Sequence, residues 1–140
     1  MSVTYEIVAG DFVRAGEAAS KLKRVLQQLG LDPTIIRRAA IATYEAEMNI
    51  VIHSYGGHIS VDITCDSIEI LCEDSGPGIP DIEKALQEGY STASEDVREM
   101  GFGAGMGLPN IRRSADDFSI ESRIGQGTRL QVRILHRAGE

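Results

Sequence analysis

Two cysteines, Cys65 and Cys72, are all that a chain of 140 residues contains. That is too few for a disulfide scaffold or a zinc site, and a reducing cytoplasm is the expected compartment. No apolar run reaches the roughly 18 residues that a membrane span needs. The N-terminus has no basic segment followed by an apolar one, so no signal peptide is expected. Positive charge is also short, with 14 basic residues against 21 acidic ones and a net charge of −7. A nucleic-acid binder needs a basic footprint to displace counterions from phosphate, so this class is excluded. There is no internal repeat and no linker. The length fits one domain, 1–140. A chain of this size buries roughly two-thirds of its unfolded surface and needs no metal to fold.

Glycine is what the sequence has in unusual supply. Nine of its fifteen glycines lie between positions 74 and 127. A cluster of this kind points to a loop through which backbone approaches something closely. Charge is uneven too: 62–99 carries eleven acids and two bases, whereas 112–137 carries six bases and three acids.

Residues 2–8 alternate as a strand. Asp11 reads as the N-cap of a first helix, in which Phe12, Ala15, Ala19, Leu22, Leu26 and Leu29 repeat at three and four; Gly30 ends it. Asp32-Pro33 pairs a capping carboxylate with proline at the first helical position. It opens a second helix over about 33–54, which is apolar enough to be largely buried. Ile59, Val61, Ile63 and Cys65 alternate with polar residues, as do Ile68, Ile70 and Cys72. The two runs form a hairpin through Asp66-Ser67, with both cysteines as small buried hydrophobes. Pro80-Asp81 opens a short helix to about Leu86. Residues 89–106 show no periodicity and read as a lid. A helix over about 107–116 and two strands around Gly125-Gln126-Gly127 complete the chain. The expected architecture is an α/β (α+β) two-layer sandwich, its sheet mixed and mainly antiparallel with helices on one face.

Three glycine motifs stand out. Asp74-Ser75-Gly76-Pro77-Gly78 follows a strand; alone, it is most often a strand-ending turn. Gly101-Phe102-Gly103-Ala104-Gly105-Met106-Gly107-Leu108 precedes a helix. Gly125-Gln126-Gly127-Thr128 sits in a hairpin. The second is not a dinucleotide fingerprint, because Met106 or Leu108 falls where GxGxxG needs its third glycine. It is not a Walker loop either, since no lysine follows. It does place glycines before a helix N-terminus, where free N–H groups and the positive dipole end suit phosphate. On the second long helix, Glu45, Asn49 and His53 are four apart and form one row. The row is either the edge of an amphipathic helix or a base and metal pair. In the latter, the Asn49 amide oxygen suits Mg²⁺, and Glu45 suits proton acceptance. His53 reads as a packed or hydrogen-bonded helix-end residue, and His58 and His136 as surface residues.

E-x-x-x-N, D-x-G-x-G, G-x-G-x-G-L and G-x-G-T, in that order, resemble the GHKL (Bergerat-fold) ATPase superfamily, which includes DNA gyrase and the histidine kinases. The resemblance runs from about Ala40 to the C-terminus. Within the superfamily, Y-E-A-E-M-N-I-V-I-H-S-Y and G-F-G-A-G-M-G-L-P-N-I-R-R are similar to the small bacterial anti-sigma regulatory serine kinases, above all the RsbT type. This resemblance implies ATP and Mg²⁺ as cofactors and phosphoryl transfer to a serine on a STAS-domain partner. An anti-sigma factor acting by sequestration, or an ATP-binding regulator without transfer, are the alternatives. A sigma factor, a phosphatase and a second copy of the chain are further partners it brings into view. By resemblance, Glu45 is the general base, Asn49 binds Mg²⁺, and Asp74 accepts a hydrogen bond from the adenine amino group. Gly76 and Gly78 let the chain lie against the base. Gly103, Gly105, Gly107 and Leu108 cradle phosphates, and Thr128 assists at adenine. Arg98, Arg112 and Arg113 are candidate sources of positive charge. The chain departs from these kinases at Glu47, Met48 and Ile50. Helix geometry turns Glu47 about 160–200° from Glu45, so it is expected to face solvent.

Overall fold

The computed structural model describes residues 1–87 and 107–136. Its elements run β1 (Ser2–Ile7), α1 (Glu17–Gln28), α2 (Pro33–His53), β2 (Gly57–Ile63), β3 (Ser67–Ser75), α3 (Ile82–Ala85), α4 (Gly107–Ser114), β4 (Asp117–Arg123) and β5 (Gly127–Leu135). The expected lid, with Gly103, Gly105 and Arg98, lies outside the described residues.

The sheet order is β1-β2-β3-β5-β4. Every pairing among the described residues is antiparallel. The reason is topological. The connection through α4 brings the chain back along β4, parallel to β3, but β5 folds back between the two and pairs antiparallel with both.

Alternation puts Val61, Ile70, Val132 and Phe118 in one cross-strand row on the core face. Asp62, Glu69, Arg133 and Asp117 form a matching row on the opposite face, where Arg133 pairs with Glu69 at 3.7 Å. Helix α2 supplies Ile36, Ala39, Ala42, Ala46, Met48, Ile50 and Val51 to the core, α1 supplies Leu22 and Leu26, and α4 supplies Leu108 and Ile111. Burial of apolar side chains such as Leu22 and Leu26, both fully enclosed, holds the helical layer to the sheet.

Helix α2 starts as expected: Asp32 Oδ1 accepts from Thr34 N at 2.8 Å, with Pro33 at the first position. Helix α1 does not. Asp11 Oδ1 instead closes a local turn by accepting from Arg14 N at 3.2 Å. The residue preceding α1 is Gly16, at φ 94°, with no side-chain cap of its own. The cap comes from α2. Glu47 is 2% exposed, and its two oxygens accept from Ala18 N at 3.1 Å and Ala19 N at 3.2 Å. Glu47 therefore faces away from Glu45, as helix geometry requires, but it meets a helix end there and not solvent.

The cysteines also part company. Cys72 is buried on the core face of β3, whereas Cys65 is exposed. Strand β2 ends at Ile63, and Thr64 Oγ1 then accepts from Asp66 N and Ser67 N at 3.3 and 3.1 Å. That hydroxyl-anchored turn breaks the alternation one residue before Cys65. His136 is half-buried, not on the open surface, and its Nε2 has no hydrogen-bond partner among the described residues.

Candidate functional site

The apolar face of the sheet ends in polar residues. Gly57, Asp74, Thr128 and Ser122 occupy one cross-strand row on β2, β3, β5 and β4. Asp74 continues the parity of Ile68, Ile70 and Cys72, so its carboxylate points to the helix side of the sheet. It is half-buried. Its Oδ1 accepts from Thr128 N at 3.2 Å. Burial raises the Asp74 carboxyl above the usual range, and the Thr128 N–H acts in the opposite direction. Thr128 Oγ1 lies 2.8 Å from Ser122 Oγ, which also accepts from Ile79 N at 2.7 Å.

Glycines let backbone segments pack closely at this corner. A Cβ on Gly57 would stand 2.9 Å from Asp74 Cα, and one on Gly76 would stand 3.1 Å from Ser54 Cα. Gly78 takes φ +79°, and a Cβ there would lie 2.5 Å from Arg123 O. Backbone therefore passes where side chains cannot.

The end of α2 is bonded to the same corner. Ser54 Oγ donates to Ile50 O at 2.6 Å and accepts from Gly56 N at 3.0 Å. Tyr55 N then donates to Ser75 O at 2.7 Å, one residue beyond Asp74. The row Glu45, Asn49, His53 thus runs along α2 toward Asp74, and Glu45 and Asn49 are both half-buried. At a rise of about 1.5 Å per residue, Glu45 stands roughly 13 Å along the axis from Ser54. Burial lowers the pKa of His53, which favours the neutral imidazole.

At its far end the row meets α4. Asn110 Nδ2 donates to Glu45 Oε1 at 3.4 Å, and Arg113 Nη1 donates to Asn110 Oδ1 at 3.2 Å. A Cβ on Gly107 would stand 3.2 Å from Glu45 Oε2. Glu45 therefore faces the N-terminal turn of α4, whose leading N–H groups have no partner within the helix. Burial pushes the Glu45 carboxyl up, and the Asn110 hydrogen bond partly offsets this. Leu108 is buried and anchors this end of α4 in the core. Arg112 and Arg113 lie in the last turn of α4, away from Gly107.

A groove of about 1010 Å³ between the start of α1 and α2 reaches Glu45; Val13, Arg14, Arg37, Ile41 and Tyr44 are among its lining residues. Among the described residues, no group of three or more His, Cys, Asp or Glu side chains is placed to hold a metal ion by itself. The available donors at the row are one amide oxygen and one carboxylate, a set that fits Mg²⁺ held mainly by phosphate and water.

The structure thus joins two groups of the expected residues: Asp74, Gly76, Gly78 and Thr128 at the sheet corner, and Glu45, Gly107 and Leu108 at α4, with Asn49 between them on α2. Four neighbours escaped the sequence reading. Gly57 and Ser122 belong to the Asp74 row, Asn110 holds Glu45, and Ser54 packs on Gly76. Ser122 had a legible signal, a polar residue on the apolar parity of β4. Gly57 had none, because its role depends on register.

Residues 9–134 match the family model described as a histidine kinase-like ATPase domain. The serine/threonine-protein kinase RsbT of Bacillus subtilis is 36% identical over 120 residues, covering 82% of this chain and 84% of that one. An anti-sigma F factor of Thermoanaerobacter is 38% identical over 109 residues, covering 73% of each. Among solved structures, a mycobacterial sensor histidine kinase, MprB, matches with a TM-score of 0.55 at 15% identity, over 98% of this chain and 99% of that one. A SiaB–SiaC complex from Pseudomonas aeruginosa matches with a TM-score of 0.57 at 11% identity, over 96% and 89%. None of the described helices is long and apolar enough to cross a membrane. The antiparallel sheet with its helical layer is the fold of those neighbours, and the chain belongs to the histidine kinase-like ATPase domain family.

Proposed function

We propose that the protein is a cytoplasmic, ATP-dependent serine/threonine kinase that transfers the γ-phosphate to a serine on a STAS-domain protein and so acts in partner switching. The observation that carries the reading is the position of Glu45. Its half-buried carboxylate faces the start of α4, held by Asn110, at the far end of a row that begins beside Asp74. A nucleotide whose base lies at Asp74 and whose phosphates lie at α4 spans that row. The serine/threonine kinase relative supports transfer as the outcome.

In this reading Asp74 accepts from the adenine amino group, with Thr128 beside it and Gly76 and Gly78 clearing space for the base. Gly107 and Leu108, together with Gly103 and Gly105, bring backbone N–H groups to the phosphates. Asn49 offers its amide oxygen to Mg²⁺, which when bound neutralises phosphate charge. Glu45 takes the proton from the acceptor serine. The serine Oγ then bonds to the γ-phosphorus as the bond to the β-phosphate oxygen breaks, and ADP leaves. The groove between α1 and α2 gives the acceptor a route to Glu45.

A second reading is supported by the anti-sigma F relatives, at up to 38% identity: the protein sequesters a sigma factor. Incubation with γ-labelled ATP and STAS-domain proteins from the same genome separates the two. Label on a serine is the expected result. Absence of label, with a sigma factor co-purifying, replaces the first reading with the second.

A further inference from the structure

We propose that Glu47 is a positioning residue for Glu45 and Asn49, acting by clamping α2 to the first turn of α1. The proposal rests on the kinase reading for its kinetic consequence, but the clamp itself does not.

Two residues along a helix turn the side chain by about 200°. Glu47 therefore points away from both Glu45 and Asn49, toward α1. The leading N–H groups of a helix have no partners within it. A serine or aspartate at the cap position would satisfy them locally. Here that position is Gly16, at φ 94°, and any side chain there would press on Tyr44, whose ring carbon lies 3.3 Å from the would-be Cβ. The start of α1 is thus seated on Tyr44 and bonded to Glu47, through Ala18 N at 3.1 Å and Ala19 N at 3.2 Å. A carboxylate is stabilised at the positive end of a helix dipole, where N–H groups without helical partners point at it.

On the other side of α2, Asn110 holds Glu45 and is itself held by Arg113. Residues 44–47 are therefore gripped from both faces, by α1 behind and by α4 in front. Removing the rear grip leaves α1 without its cap and frees this stretch of α2 to rotate. Glu45 and Asn49, one residue row on the same rigid helix, shift together.

The test uses the full chain with Glu47→Ala and Glu47→Gln. The amide of glutamine keeps one acceptor oxygen, so it is expected to fall between wild type and alanine on every measure. The first readout needs no ligand: the side-chain amide resonances of Asn110, identified by their loss in Asn110→Ala, move in Glu47→Ala and move less in Glu47→Gln. The second is transfer to the acceptor serine, well below the melting temperature. A misplacement of about 1 Å costs about 100-fold, so kcat falls about 10- to 100-fold in Glu47→Ala, while Mg²⁺-free ADP binding at Asp74 is unchanged. If Glu47→Ala does not fold, Glu47→Gln carries both readouts. A variant that melts earlier but leaves the Asn110 resonances and kcat at wild-type values overturns the proposal. If the wild-type protein transfers no phosphate, the kinase reading fails, and the Asn110 resonances still decide the clamp.

Discussion

Asp74→Asn changes one atom and tests the adenine assignment. In the native protein Oδ1 is occupied by Thr128 N at 3.2 Å. Oδ2 is then the oxygen left for a ligand. In the asparagine variant the amide oxygen must stay at the Oδ1 position, because the alternative orientation would set an NH₂ against the Thr128 N–H. The NH₂ therefore replaces Oδ2, and a donor faces the adenine amino group where an acceptor stood. A hydrogen bond to a charged partner contributes about 1.5–3 kcal/mol. At about 1.4 kcal/mol per tenfold, ATP affinity falls about 10- to 140-fold. The variant keeps the Thr128 bond, so its melting temperature changes little. The same NH₂ suits the guanine oxygen, so GTP affinity rises as ATP affinity falls. Titration calorimetry with both nucleotides, beside a melting curve, reads all three quantities. Wild-type ATP affinity in a variant with unchanged melting would refute the reasoning. The native protein supplies a pH version of the test. Burial raises the Asp74 carboxyl, and a protonated carboxyl presents a donor. ATP affinity therefore falls with acidification, at a pH above the ordinary aspartate range.

Three further outcomes are expected. Glu45→Ala binds Mg-ATP but loses transfer. In the wild type the transfer rate rises with pH through the raised Glu45 pKa, because only the ionised carboxylate accepts a proton; a pH-rate profile with no such limb counts against the base role. Leu22→Ala empties a fully enclosed site between α1 and the rest of the core and costs about 2–5 kcal/mol of stability by chemical denaturation. In thiol labelling, the exposed Cys65 reacts in the native protein, whereas Cys72, buried with its thiol pushed up to about 12, reacts only on unfolding. Two native equivalents would contradict the burial of β3.

The legible parts of the fold were those with a short period or a local cap. Alternation marked all five strands, and Asp32-Pro33 marked the start of α2 to the residue. The glycine motifs were legible as places of close backbone approach, and Gly76 and Gly78 proved to be such places. Asp11 misled for a local reason: an aspartate before an apolar repeat looks the same whether it caps a helix or closes a turn. Cys65 misled because β2 ended two residues before the cysteine, at a threonine-anchored turn.

By itself the sequence determined which residues lie on which face of each element. That follows from the fixed periods of helix and strand, and it was enough to put Glu45 and Asn49 in one row. Tertiary structure decided what those faces meet. Pairing register aligned Gly57, Asp74, Thr128 and Ser122, although 71 residues separate the first from the third. Helix docking gave Glu45 to Asn110 and gave Glu47 to the uncapped start of α1. Such partners are set by the packing of distant segments, where one carboxylate can meet solvent, a metal or a helix end with no change in its local sequence.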